Sequence, residues 1–124
     1  MLSESQEQKI IYQWFCLQWA KYKQAFSLSM NGIYIPGKPK DKAMIINGMK
    51  SQGMQVGEAD FKILVPKGGF HGIIIEYKSE KGKHKLTQLQ AEYLDYMSSL
   101  GYFAVLCKGI DAAKDTINSY LNQE

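Results

Sequence analysis

Apolar and polar residues alternate along this chain with two different periods, and the change of period divides it into elements. Ile11, Trp14, Phe15, Gln18 and Tyr22 recur at helical spacing and give one largely apolar face. Ser3 and Gln6, just ahead of them, have capping-box spacing, so a first helix is predicted from there to about Lys23. Phe26 to Met30 alternates apolar residues with Ser, which predicts a short strand ending at an Asn31-Gly32 turn. Ile33 to Pro36 either extends that strand or pairs with it. A lysine-rich loop over 37–42 leads into a second helix, predicted from Asp41 to Gln52 and stopped by Gly53.

From Asp60 the period becomes two. Phe61, Ile63 and Val65 share one face, and Pro66-Lys67-Gly68-Gly69 makes a turn. Ile73-Ile74-Ile75 then leads into Glu76-Tyr77-Lys78 as a mostly buried strand, followed by a charge-rich loop from Ser79 to Lys85. Thr87 and Gln90 form a second capping-box pair. The helix they open is expected to turn Leu89, Tyr93, Leu94, Met97 and Leu100 inward and to end at Gly101. Tyr102 to Leu106 reads as a fourth strand, and Asp111 as the cap of a last helix ending near Leu121. The order is α, β, α, β, β, α, β, α. With no internal repeat and no linker, one α/β domain is expected over 1–124.

At 124 residues the chain can bury one core. Its 45% hydrophobic and 22% charged content is that of a folded globular chain and excludes a disordered one. No apolar run approaches a membrane span, and the N-terminus is too polar for a secretory signal, so a cytoplasmic protein with no membrane partner is expected. Cys16 and Cys107 lie far apart with no Cys-x-x-Cys pair, which fits buried thiols in a reducing compartment; a disulfide between them stays open. The net charge of +3 points weakly to an anionic partner. All 15 basic residues are Lys. Lysine meets phosphate as a point charge, whereas arginine reads guanine edges, so a DNA-binding role here would be read through backbone and shape. An AT-rich coding sequence would produce the same absence of arginine.

Glu76 and Lys78 are two apart on a strand and therefore point to one face, while Ile73, Ile75 and Tyr77 take the other. A charged pair closing an isoleucine-rich strand conflicts with the local pattern, and such conflicts tend to mark sites. Asp60 stands at the mouth of the neighbouring strand, where a hairpin would bring it beside Glu76. Two adjacent carboxylates repel unless a cation lies between them, and oxygen-only ligands suit Mg²⁺ or Mn²⁺ rather than Zn²⁺. Such an ion would serve phosphodiester hydrolysis, with Lys78 orienting the attacking water or neutralising the phosphate. The alternative is an exposed ion pair on an edge strand. His71 and His84 lack zinc spacing, the glycines form no P-loop, and no Ser-His-Asp or Cys-His arrangement is present. Trp14 and Trp19 read as core or interface residues. Lys38, Lys40, Lys42 and Lys50, and then Lys81, Lys83 and Lys85, form two basic clusters flanking the three residues; they are phosphate contacts or solvated faces.

These motifs, in this order, resemble one family. Gly53-Met54-Gln55-Val56-Gly57-Glu58-Ala59-Asp60, Val65-Pro66-Lys67-Gly68-Gly69-Phe70-His71-Gly72 and Ile75-Glu76-Tyr77-Lys78 look like the VRR-NUC family, a branch of the PD-(D/E)xK nuclease superfamily. Gly82, Leu86-Thr87-Gln88-Leu89-Gln90, Gly101-Tyr102, Asn31-Gly32 and Ser3-Glu4-Ser5-Gln6-Glu7-Gln8 extend the resemblance over nearly the whole chain. It implies a restriction-endonuclease-like α-β-β-β-α-β core, with a mixed central sheet flanked by helices. It also implies Asp60 and Glu76 as metal ligands, the carbonyl of Tyr77 completing the shell, and Lys78 as the catalytic lysine. The first-helix glutamate of the pattern falls on Glu4, four before Gln8, with Glu7 one turn on as its competitor. Gln90 matches the family glutamine; capping with Thr87 is its other role, and both can hold. Ala59 replaces the family's usual proline, which loosens the turn without removing a ligand. Glu58 is expected to face solvent.

What the resemblance implies is a Mg²⁺- or Mn²⁺-dependent endodeoxyribonuclease. Stand-alone members, including phage-encoded ones, resemble homodimeric Holliday-junction resolvases, whose paired sites suit symmetric nicks in branched DNA. Two alternatives remain: a flap or nonspecific DNase with the same site, and a catalytically silent DNA-binding module.

Overall fold

The structure is a computed structural model that describes residues 2–30, 35–82 and 85–124. Helix α1 spans Glu4–Gln18 and starts at the capping box: the Gln6 amide donates to the Ser3 hydroxyl at 3.2 Å, and the Ser3 amide to the Gln6 side-chain carbonyl at 2.8 Å. It stops short of Lys23. The Trp19 indole N–H donates to Asn118 Oδ1 at 2.9 Å, and Trp19 leaves helical geometry, so a 3₁₀ turn over Ala20–Ala25 carries the chain onward. Strand β1 is Phe26–Leu28. Helix α2 covers Pro39–Ser51 and begins ahead of Asp41, because proline fits the first helical turn, where no N–H bond is needed. None of its side chains is fully buried.

Strands β2 (Phe61–Ile63) and β3 (Ile73–Lys78) form an antiparallel hairpin; helix α3 (Gln88–Ser99) then crosses over to β4 (Phe103–Lys108), and helix α4 (Ile110–Leu121) closes the chain. The sheet order is β1-β2-β3-β4, with β3 and β4 parallel, as a helical crossover allows. The mixed sheet flanked by helices is the predicted α/β class. Helices cover both faces, which explains the near-continuous apolar run of β3. Ile73, Ile75 and Tyr77 pack with Ile11 and Phe15 of α1 and with Ile117 and Tyr120 of α4. Ile74 faces the other way, with Ala59, Leu94 and flanking Tyr93 and Met97.

Several predicted details differ. The inward face of α3 is narrower than its periodicity suggests: Leu89 and Leu100, at its two ends, are exposed, because a helix meets a twisted sheet over its middle turns. Gly109, not Asp111, caps α4. The β3–β4 ladder runs on to the Lys78–Lys108 pair and a bond from the Gly109 amide to the Lys78 carbonyl, so the helix starts only at Ile110. Both cysteines are free, Cys107 buried and Cys16 half-buried. The Asn31-Gly32 turn, the first half of the 33–36 segment, Lys83 and His84 lie outside the described residues. Among the described residues no helix is long and apolar enough to cross a membrane.

Gly57 fixes how the segment before β2 meets α3. Its φ is +81°, and a Cβ there would lie 2.9 Å from the backbone carbonyl of Leu89. Gly57→Ala therefore strains the backbone and pushes on main chain that cannot rotate away. The expected loss is about 1–3 kcal/mol in chemical denaturation; unchanged stability would mean that this close approach is not rigid.

Candidate active site

Asp60 is the residue immediately before β2, and two hydrogen bonds hold it. Its carbonyl accepts from the Ser29 amide at 2.8 Å, continuing the β1–β2 pairing. Its carboxylate Oδ2 accepts from the Tyr77 amide at 2.7 Å. The β2–β3 ladder ends at the Phe61–Ile75 pair. Past that point the side chain of Asp60 takes the place of the missing backbone partner. In an extended strand the N–H and C=O of one residue leave on the same edge. The carbonyl of Tyr77 thus points towards Asp60 as well.

Glu76 lies next to it on the α3 face of β3, only 2% exposed. Among the described residues, no donor reaches its Oε2. Burial, then a hydrogen bond shared with Asp60 and that residue's charge, push the Glu76 carboxyl up to about 8, with Lys78 pulling it down less. The Lys78 ammonium stands 4.0 Å from Glu76 Oε1, with its side chain 13% exposed. The strand alternation that joins Glu76 to Lys78 and the hairpin that brings in Asp60 are both present. The edge-strand alternative is not, since β3 lies between β2 and β4.

The first-helix glutamates arrive elsewhere. Glu4 Oε2 accepts from the Ser79 amide at 3.2 Å, and Glu7 Oε1 accepts from the Ser79 hydroxyl at 3.4 Å. Burial and then the Glu7 carboxylate push the Tyr77 hydroxyl up to about 12. Among the described residues, no three His, Cys, Asp or Glu side chains converge on one point, so Glu4 does not join Asp60 and Glu76 in a three-carboxylate cluster. Gln90 sits in the capping box of α3, its side-chain carbonyl accepting from the Thr87 amide at 3.0 Å. Glu58 does not face solvent freely; it is half-buried and pairs with Lys62 at 2.8 Å. The ring of His71 makes an edge contact with Tyr102 at the start of β3, the far end of the strand from Glu76. Ser79 is the contact that sequence patterning misses. It lies two residues beyond Tyr77, in a loop with no periodicity, and only the approach of α1 gives it a role.

No family model matches the sequence, and no curated protein matches it. Among solved structures, a chain described as "VRR_NUC domain protein" superposes with a TM-score of 0.79 at 25% identity, over 99% of this chain and 91% of that one. The chain has the fold of a VRR-NUC domain, as the resemblance of its motifs implies.

The carboxylate pair fits a hard cation on its own chemistry. Glu76 is buried beside a second carboxylate, and among the described residues no donor reaches its Oε2; a divalent ion would answer both conditions with oxygen ligands alone. Ala59, in place of proline, is fully buried against the α3 layer, so packing supplies rigidity to the turn.

The raised Glu76 carboxyl has a consequence for stability. Its ordinary value is 4.5, and the folded protein holds it near 8. The fold thus binds this proton more tightly than the unfolded chain does. That stabilisation is complete below the ordinary value and is lost as pH rises towards 8. In a chelating buffer, the melting temperature is expected to fall between about pH 5 and pH 8.5, and Glu76→Gln to flatten that fall by several degrees. Equal slopes for wild type and variant would refute the buried proton.

Proposed function

We propose that this VRR-NUC domain is a Mg²⁺- or Mn²⁺-dependent endodeoxyribonuclease that hydrolyses phosphodiester bonds in branched DNA, with the Holliday junction as its substrate. The observation that carries the reading is the buried Asp60–Glu76 pair beside Lys78 at the end of a central strand. A nuclease is the activity the family implies, and DNA is the substrate class that goes with it. Asp60, Glu76 and the Tyr77 carbonyl are the groups that would hold the ion, with Glu4 as a further ligand in the family pattern. When bound, the ion supplies Lewis acidity to a phosphoryl oxygen and acidifies water.

The remaining chemistry belongs to the chain. The Tyr77 amide fixes the orientation of Asp60 before substrate arrives. Glu76, whose carboxyl is pushed up to about 8, would hold an ion in its deprotonated form, so binding of an ion would tighten as pH rises. Lys78, partly exposed on the same face, offers its ammonium to the attacking water or to the charge that develops on the phosphate. Gln90 caps α3 through its carbonyl, which leaves its amide nitrogen as a donor for the substrate. Lysine side chains alone supply the backbone contacts, which favours recognition of shape over sequence. The compact chain gives one site, and symmetric nicking of a four-way junction requires two; we therefore read the active form as a homodimer.

The decisive assay compares a labelled four-way junction with a matched flap and a plain duplex, each with Mg²⁺, Mn²⁺ or chelator. Metal-dependent paired nicks in the junction are expected, and Asp60→Asn, Glu76→Ala and Lys78→Ala should each lose at least about 10²-fold in rate. Cleavage of flap or duplex alone would transfer the same site to a flap or nonspecific DNase. Binding without cleavage of any substrate would leave a silent DNA-binding module.

Glu4 has its own measurement. Calorimetric titration of Mn²⁺ should give an affinity about tenfold or more weaker in Glu4→Ala and nearly unchanged in Glu7→Ala, if Glu4 reaches the ion. The reverse order would make Glu7 the ligand.

A further inference from the structure

The face of the sheet that α3 covers changes character along its length. At one step Ile74 stands opposite Ala104 across the parallel β3–β4 ladder, and both pack with Leu94 of α3. At the next step on that face Glu76 stands opposite Leu106, and at the last Lys78 stands opposite Lys108. Alternation puts both lysines on the carboxylate face, because Tyr77 and Cys107, the pair just before them, belong to the core on the other side.

Neighbouring strands run about 4.8 Å apart, so two lysine stems leave the sheet side by side. Like charges placed opposite one another on a sheet repel. Glu76, at 4.0 Å, offsets this for Lys78. Lys108 is exposed, and among the described residues no carboxylate forms an ion pair with it. The side chain of Glu80 lies against Gly109, one residue further on. An anion reaching both lysines would remove the repulsion, and the carboxyl ends of parallel strands are where α/β sheets receive ligands. Lysine meets phosphate as a point charge. Successive nucleotides of a DNA strand rise by about 3.4 Å, a step that two neighbouring lysine stems can span.

We infer that Lys108 is a substrate-binding residue of the candidate active site: with Lys78 at the scissile phosphate, Lys108 holds the adjacent phosphate of the same DNA strand. The inference rests on the nuclease reading and deepens it. The site then takes an internal stretch of polynucleotide with at least two linked phosphates, rather than a phosphomonoester or a lone terminal phosphate. Because Lys108 meets charge and no base edge, it adds affinity without sequence preference.

The test is a charge-deletion cycle on DNA binding by the full chain, in chelating buffer so that binding is read apart from cleavage. One strand of a four-way junction carries a single uncharged methylphosphonate in place of a phosphate, moved one position at a time through the branch. Wild type is expected to lose about tenfold in affinity when the phosphate next to the scissile one is neutral. Lys108→Ala should bind unmodified DNA about tenfold more weakly and lose nothing more when that same phosphate is neutralised. Its slope of log affinity against log salt should be shallower by about one. Lys108→Arg should restore both. Lys23→Ala, which removes an equal charge from the 3₁₀ turn after α1, should keep the wild-type loss at that phosphate. Losses that add independently at every position overturn the inference, as does an unchanged salt slope in Lys108→Ala. So does a coupled phosphate that is not a neighbour of the cut. Mapping the metal-dependent cut of wild type keeps the two readings apart. A cut without coupling removes the role of Lys108 alone; coupling at one phosphate with no cut removes the nuclease reading and keeps the phosphate contact.

Discussion

The backbone amide of Tyr77 donates to the Asp60 carboxylate where the β2–β3 ladder stops, and the chemistry of the site depends on that substitution of side chain for backbone. A ladder continued by one more pair would satisfy the Tyr77 amide with a neutral carbonyl and leave Asp60 free to turn outward. Instead, a charge-assisted bond of 2.7 Å holds a carboxylate against the edge of β3. Glu76, only 2% exposed, then has a second carboxylate as its neighbour. Burial, then the hydrogen bond with Asp60 and its charge, push the carboxyl of Glu76 up to about 8. Lys78, 4.0 Å from Glu76, is the cation the described residues place beside the pair.

The rest of the fold keeps this point from relaxing. The register between β2 and β3 places Asp60 opposite the start of the charged tripeptide, and a one-residue slip would turn Glu76 to the other face. Helix α1 binds the exit of β3 through Ser79, with Glu4 on its amide and Glu7 on its hydroxyl. Helix α4 starts where the β3–β4 ladder ends, at Gly109. Gly57 presses against the first turn of α3 and so fixes the approach to Asp60. Each contact comes from a different element, yet all act on the few residues around Glu76.

Much of this was legible in the chain itself. The two capping boxes, Ser3 with Gln6 and Thr87 with Gln90, are local hydrogen-bond patterns and appear as predicted. The period-two face of Ile73, Ile75 and Tyr77, opposed to Glu76 and Lys78, follows from strand geometry alone. Element order, the mixed α/β class and the pairing of Asp60 with Glu76 across a hairpin are short-range consequences of the same patterns. Family motifs at fixed spacing named the same residues.

What only the tertiary structure decided depends on distances between segments remote in sequence. Trp19 ends α1 early because Asn118, on the last helix, accepts its indole proton. Gly109 rather than Asp111 caps α4 because the parallel ladder runs to Lys108. Glu58 is tied to Lys62, Leu89 and Leu100 stay outside the core, and Ser79 becomes the anchor for both first-helix glutamates. The sequence by itself determined which groups carry charge and which face they take, since alternation and capping need only near neighbours. The burial that raises Glu76 and the orientation of Asp60 required the packed sheet, since desolvation is a property of everything that surrounds a group.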